Sequence, residues 1–246
     1  MLSKRKLKYF KSLHLKKYRQ QHGNFLVEGA KGVLEALKSD AEIEHLVLTA
    51  SFHDEVERQQ EVQLRGELEI VKEQELTAAG TFSSNNAGLA VLKIPERHAL
   101  PQLTSGLTLV LDEVRDPGNL GTIIRIADWY GIEHVICSTG TADLYNPKVI
   151  NATMGSFTRV KVFYTDLLKF LQNNTLPAYG ALLGGESIYS MALAKDALLL
   201  MGNESKGISD ELLPFVDHQI TIPSRGGAES LNVAIATAVT LDNFFR

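Results

Sequence analysis

The chain has 246 residues, 44% hydrophobic and 22% charged, with a formal net charge of −4; that balance suits a globular chain of one large or two modest domains. Its single cysteine, Cys137, excludes an internal disulfide and a cysteine-based zinc site and reads as a buried strand residue. No apolar run approaches the ~18 residues of a membrane helix and no signal-peptide core opens the chain, so the sequence reads as cytoplasmic.

The first twenty residues carry Lys4, Arg5, Lys6, Lys8, Lys11, Lys16, Lys17 and Arg19, and no acid precedes Glu28. The rest of the chain therefore holds 17 of the 25 basic residues against all 29 acidic ones. A basic segment on an acidic body suits a polyanion, because each cation that displaces a condensed counterion from a phosphate adds salt-dependent affinity. RNA contact through Lys4, Arg5, Lys6, Lys8, Lys16, Lys17 and Arg19 competes here with a plain solvated helix start. Tyr9, Phe10 and Tyr18 fall among the charges, to stack on bases or, as we read them, to anchor the segment to the body. Phe25 to Val27 reads as a short strand, Glu28-Gly29 as a turn, and Val33, Leu34 and Leu37 as one apolar helix face. A strand over 43–50, a polar helix around 52–65, a short strand over 68–71, a helix over 72–80 ending at Gly80, a polar loop and a strand over 89–94 complete an alternation that implies α/β layers. Pro95, Pro101 and Gly106 mark a linker over 95–106.

The second half alternates more strongly. Residues 107–114 form a buried strand, and Pro117 stands near the start of a helix that stops at Gly131. A strand over 133–138, a short helix over 146–156, a strand over 159–164, a helix capped by Thr165 and a strand over 177–183 follow. Strands over 197–202 and 218–224 flank a short helix over 208–215, and residues 230–246 close the chain as a helix with a strongly apolar face. No repeat or low-complexity stretch is visible.

Residues 202–207 have the G-x-x-x-x-G spacing of a phosphate loop, but Ile208 stands where that motif needs lysine. No G-x-G-x-x-G follows a strand and no G-x-S-x-G elbow occurs. His14, His22, His45, His53, His98, His134 and His218 are scattered, without metal-ligand spacing. There remain loops that offer backbone groups to a ligand lacking a triphosphate, a description that an adenosyl cofactor fits.

Three short motifs, each ending a strand, carry the functional argument: Asn119-Leu120-Gly121 with Arg125, then Gly202-Asn203-Glu204-Ser205-Lys206-Gly207, then Ser230-Leu231-Asn232. In this order and spacing they resemble the signature motifs of the SpoU (TrmH-like) RNA 2'-O-methyltransferases, closely over 105–246. Residues 24–37 resemble the small substrate-binding domain that precedes the catalytic domain in many members. The resemblance implies an α/β fold: a small α/β RNA-binding domain over 1–98, then a parallel-sheet methyltransferase domain with a deep trefoil knot over 105–246. It implies S-adenosylmethionine (SAM) as cofactor, bound by Gly202, Asn203, Gly207, Ile222 and Leu231. It implies a ribose site of Asn119, Arg125 and Glu204, with Ser230 and Asn232 close to both. Arg125 matches the residue usually assigned as base. Guanidinium is effectively always protonated, so a charged clamp on the forming alkoxide and adjacent phosphate is the better role, with Glu204 fixing the guanidinium. Against these stand an N-cap for Ser230, loop bonding for Asn119, core packing for Ile222 and Leu231, and loop capping for Glu113 and Asp116.

Met154, in a segment usually built of small residues, and Gly23-Asn24, where many members have Arg-Asn, depart from the family pattern. The resemblance also implies a homodimer through helices near the knot, including residues 233–245, in which one subunit's basic domain presents RNA to the other's active site. Ribosomal RNA is the expected substrate, because a separate RNA-binding domain suits a large folded RNA. The alternatives are the same reaction on tRNA and a non-catalytic RNA-binding or assembly factor.

Overall fold

A computed structural model describes residues 1–59, 61–96 and 99–246. Gln60, in the expected polar helix, and Arg97 and His98, in the expected linker, lie outside the described residues. By contact the chain divides into two compact units, Met1–His98 with Asp143–Thr158, and Ala99–Ala142 with Arg159–Arg246. The sequence reading cut the chain once, near 95–106; in the structure 143–158 groups instead with the N-terminal unit. No helix among the described residues is long and apolar enough to cross a membrane.

The first unit is built on a four-stranded sheet in the order β1-β4-β2-β3, from β1 (Asn24–Glu28), β2 (Ile43–Leu48), β3 (Glu67–Ile70) and β4 (Gly88–Lys93). β4 runs antiparallel to both β1 and β2, while β2 and β3 are parallel. All five residues of β1 are buried, as expected of a strand covered on both faces. Alternate residues face opposite ways. Phe25, Val27, Leu46, Leu48, Ala90 and Leu92 pack with Val33, Ala36 and Leu37 of α3 (Gly29–Lys38), Phe52 and Val56 of α4 (Ala50–Glu57), and Ile150 of α7 (Pro147–Thr153). Leu26, Val47, Leu89 and Val91 pack with Phe10, Leu13, and Leu76 and Ala79 of α5 (Glu73–Ala79). Tyr145 and Phe157 place rings 4.7 and 5.9 Å from Phe25, which is why 143–158 belongs to this unit. The expected helix at 52–65 is confined to α4.

The basic N-terminus folds as α1 (Lys4–Ser12) and α2 (Lys16–His22). Phe10 and Leu13 are fully buried, each contributing about 1.5–3 kcal/mol. Tyr9 is partly covered, and burial, reinforced by Glu44, pushes its phenol up to about 12. The anchoring role expected of Tyr9 and Phe10 is the one observed.

The second unit is built on a six-stranded, all-parallel sheet in the order β10-β8-β9-β5-β6-β7. The strands are β5 (Leu107–Leu111), β6 (His134–Ser138), β7 (Lys161–Thr165), β8 (Ala178–Ser187), β9 (Ala197–Met201) and β10 (His218–Thr221). β5 and β9 are buried along nearly their whole length, the continuous apolar pattern of a parallel sheet. The helices are α6 (Pro117–Trp129), α8 (Leu167–Gln172) and α9 (Val233–Phe244). Residues 99–106 form no helix or strand. Three local expectations change. Asp166, not Thr165, caps α8, its carboxylate accepting from Lys169 N. The helix expected at 208–215 shrinks to a 3₁₀ turn, Leu213–Phe215. α9 begins at Val233, so its cap is Asn232 rather than Ser230.

Candidate active site

Strand order reverses between β5 and β9. β5 leads outward to β6 and β7; β9 leads the other way to β8 and β10. In open parallel sheets ligands bind beyond the carboxyl ends of the strands at such a switch point. Two loops leave the sheet there, 112–116 after β5 and 202–209 after β9.

The first loop ends at Asp116, whose carboxylate caps α6 by accepting from Asn119 N at 2.9 Å, with Pro117 in the first turn. Asn119 therefore stands in the first turn of α6 and not in a free loop, and Arg125 follows on the same helix. Glu113 has φ +52°, a left-handed conformation uncommon for a residue with a side chain. Its N–H donates to Ser138 Oγ at 2.8 Å and its carbonyl accepts from Asn203 Nδ2 at 2.8 Å, so hydrogen bonds on both sides hold it in place.

The second loop closes on itself. Asn203 and Gly207 exchange two backbone hydrogen bonds of 2.9 Å. Asn203 Oδ1 accepts from Ser205 N and Lys206 N at 2.9 and 3.1 Å. A Cβ on Gly202 would stand 2.1 Å from the carbonyl carbon of Gly207, so only glycine permits the closure. Gly207 itself has φ +73°.

The third segment joins the other two. Asn232 Oδ1 caps α9, accepting from Ala234 N and Ile235 N at 3.0 and 3.3 Å. Asn232 Nδ2 donates to Asn119 Oδ1 at 2.9 Å, and Asn119 Nδ2 donates to Glu204 Oε1 at 2.9 Å. One hydrogen-bonded chain thus connects all three motifs across 113 residues of sequence. It also corrects the role expected of Glu204. Its partner is Asn119, and Arg125 is exposed with no hydrogen bond or ion pair among the described residues.

Beside this chain lies a cavity of about 1070 Å³. Gly202, Asn203, Glu204, Gly207, Ile222, Ser230 and Leu231 line it; Asn119, Arg125 and Asn232 do not. Part of the wall was not legible in the sequence. β8 pairs with β10 up to Gly180 and resumes at Glu186, and Ala181, Leu182, Leu183 and Gly184, which stand out of the ladder, line the cavity with Tyr189, Lys206 and Arg225. Sequence reasoning also passed over Asp112 and Ser209, which tie the two loops together. The available signal was an acid ending the otherwise apolar run Leu107–Leu111. On α6 and α9 and the residues that follow them, Trp129 is 84% exposed, Ile235 and Phe245 are about half exposed, and Tyr130 stacks on Phe245 at 5.2 Å. Cys137 is buried, and burial pushes its thiol up, leaving it unreactive.

In the first unit, Lys4, Arg5, Lys8, Lys16 and Lys17 are exposed. Lys6 is not free: it pairs with Glu67 and Glu69 at 2.8 and 2.5 Å. Arg19 is no surface cation either. It is 2% exposed, donates to the carbonyls of Leu13 and His14 at 2.9 Å, and pairs with Asp143 at 2.7 Å. Its Nη1 satisfies two carbonyls left over where α1 ends while Nη2 meets the Asp143 carboxylate, a structural role in place of the expected RNA contact. Met154 is 45% exposed with φ +52° as the C-cap of α7. His53, Asp54 and Glu57 bring three potential metal-ligand atoms together on α4, with both acids exposed.

The chain matches the SpoU rRNA Methylase family over residues 106–242 and the MRM3-like substrate binding domain over residues 4–84. The 23S rRNA (guanosine(2553)-2'-O)-methyltransferase RlmP of Bacillus subtilis is 33% identical over 238 residues, 95% of this chain and 93% of that one. Among solved structures, a putative RNA methyltransferase of the TrmH family from Porphyromonas gingivalis is 38% identical with a TM-score of 0.86, covering 99% of this chain and 98% of that one. An AdoMet-bound rRNA methyltransferase from Sinorhizobium meliloti is 27% identical with a TM-score of 0.85, covering 99% of this chain and 95% of that one.

Proposed function

We propose, from the premise that this chain belongs to the SpoU rRNA methylase family, that it methylates a ribose 2'-hydroxyl of ribosomal RNA. The chain is a SAM-dependent RNA 2'-O-methyltransferase. The observation that carries the site assignment is the chain Asn232–Asn119–Glu204, which brings the three motifs to the lip of one cavity.

The cavity fits the cofactor. Its volume of about 1070 Å³ is roomy for one SAM molecule. Gly202, where a Cβ would strike the Gly207 backbone, lets the loop close beside the cavity, and Ile222 and Leu231 supply apolar walls for the adenine. SAM, when bound, supplies an electrophilic methyl group on a sulfonium. The protein's own groups do the rest. Arg125, permanently charged and without a partner among the described residues, holds the phosphate beside the target and stabilises the negative charge growing on the 2'-oxygen. Asn119 is locked between Glu204 and Asn232 and orients the ribose, and Ser230 borders both cofactor and target. The exposed Lys4, Arg5, Lys8, Lys16 and Lys17 give the N-terminal unit its affinity for RNA phosphates. The family's trefoil threading, a homodimer through the apolar face of residues 233–245, and a cytoplasmic location belong to the same reading. A monomer in sedimentation at micromolar concentration would remove the dimer from it.

The test is labelled-SAM transfer to ribosomal and transfer RNA separately, with the modified ribose mapped. Label on ribosomal RNA alone is expected; label on tRNA alone overturns the substrate, and label on neither overturns the enzyme. Arg125→Ala is expected to lower transfer by ~10²-fold or more, the scale of losing an oxyanion-type donor, with SAM affinity within a few-fold of wild type. Full activity in that variant would remove Arg125 from the site.

A further inference from the structure

The buried carboxylate of Asp112 has no place in the chemistry above, yet it stands where the two loops leave the sheet. It is 4% exposed. Its Oδ2 accepts from both Ser209 N at 2.8 Å and Ser209 Oγ at 2.6 Å, and its N–H donates to Met201 O at 2.9 Å. Met201 and Ser209 immediately flank the loop 202–208. One residue at the end of β5 therefore grips both ends of the loop that walls the cavity.

We infer that Asp112 is a positioning residue for the cofactor: it clasps the base of loop 202–208 and so sets the affinity for SAM. The inference rests on reading the cavity as the SAM site. Asn203 fixes the upper part of the loop through Glu113 O, and its amide oxygen takes up the N–H groups of Ser205 and Lys206. Those bonds hold the upper part of the loop, to itself and to the neighbouring loop, and not its ends on the sheet. Asp112 supplies the anchor with charge-assisted hydrogen bonds made away from water, where they are strongest. Without its acceptor, Ser209 N–H and O–H lose their partner and the loop end is free to lift. Cofactor binding must then bear the cost of ordering the loop. Asp112 touches no reacting atom, so the cost falls on binding and not on turnover.

The experiment uses the full chain with Asp112→Ala, Asp112→Asn and Ser209→Ala. SAM affinity is measured by calorimetry, KM for SAM and kcat by initial rates, and RNA affinity separately. Asp112→Ala is expected to weaken SAM binding and raise its KM by about 10-fold or more. Its kcat at saturating SAM and its RNA affinity should stay within about two-fold. Asp112→Asn should recover most of the loss, because a single amide oxygen can accept both Ser209 donors. A folded Asp112→Ala protein with wild-type SAM affinity overturns the inference, as does a fall in kcat with KM unchanged. If Asp112→Ala does not fold, Ser209→Ala decides: it removes one of the two bonds, should raise KM for SAM about 3-fold or more, and overturns the clasp if it does not. Wild-type protein that binds no SAM overturns the cofactor reading itself, an outcome distinct from a variant that binds normally.

Discussion

Arg19 shows how one side chain can be read two ways from sequence and only one way in space. It closes a run of eight basic residues and looks like the others, but it is buried between Leu13 O, His14 O and Asp143. Its partner lies 124 residues away, so no local pattern could reveal it. Removing one member of such a pair leaves the other without its compensation. Arg19→Ala is therefore expected to cost about 2–3 kcal/mol in denaturant unfolding, discounted because Asp143 is partly solvated. Arg19→Lys should recover little, since one ammonium cannot reproduce the guanidinium fork. RNA affinity should not change beyond the loss of folded protein. The motif residues were legible for the opposite reason. Asn203 and Gly207 satisfy one another, and Gly202 packs against Gly207, within a few residues, so their spacing carries the geometry. Asp112 was not, because its value depends on Ser209, 97 residues on.

At the scale of elements, Asn232 does two jobs that a single substitution can separate. Its oxygen caps α9 and its amide nitrogen holds Asn119. Asn232→Asp keeps the capping oxygen and puts a charge at a helix N-terminus, where the dipole favours it, but it has no donor for Asn119. Asn232→Ala loses both. The aspartate variant is expected to melt within a few degrees of wild type while losing methyl transfer, and the alanine variant to lose about 1 kcal/mol as well. Equal activity of wild type and Asn232→Asp would show the link to Asn119 to be idle. A second element, α1, is tied to β3 by Lys6 with Glu67 and Glu69. The Lys6 hydrogen bond, opposed by burial, holds the Glu67 carboxyl below its usual 4.5. Burial acts against the Lys6 ammonium, but the two glutamates outweigh it and raise it above 10.5. A depressed carboxylate stabilises above its unfolded value and loses that contribution as pH falls; a raised lysine loses its contribution as pH rises through its folded value. The tie should hold from about pH 5 to 10 and weaken on acidification to pH 4. Faster amide exchange in α1 at pH 4, reproduced at pH 7 by Glu67→Gln with Glu69→Gln, would display it.

For the whole molecule, the alternation of strands and helices and the catalytic sheet were legible because buried parallel strands such as β5 and β9 are written as unbroken apolar runs. The membership of 143–158 was not. Pro147, Val149 and Ile150 look like any short helix, and only the rings of Tyr145 and Phe157 against Phe25 show which core they complete. The chain consequently passes from one unit to the other three times, at 98/99, 142/143 and 158/159. Cutting once at residue 98 should therefore not release a sound domain. Residues 1–98 alone lack Ile150, the two rings beside Phe25 and the partner of Arg19. That fragment is expected to bind a hydrophobic dye and melt well below the full chain. A fragment as stable as the full chain would show the segment to be dispensable.

The chain's only tryptophan, Trp129, stands 84% exposed on the helix that bears Arg125. Water relaxes around an excited indole in such a setting, so the emission of the free protein should be red-shifted and open to collisional quenching by iodide. Any surface that covers this end of α6 will drive the emission to the blue and shield it from the quencher. With no second indole to blur the signal, dilution of the protein, addition of cofactor and addition of RNA can each be followed by the same intrinsic light, without a label.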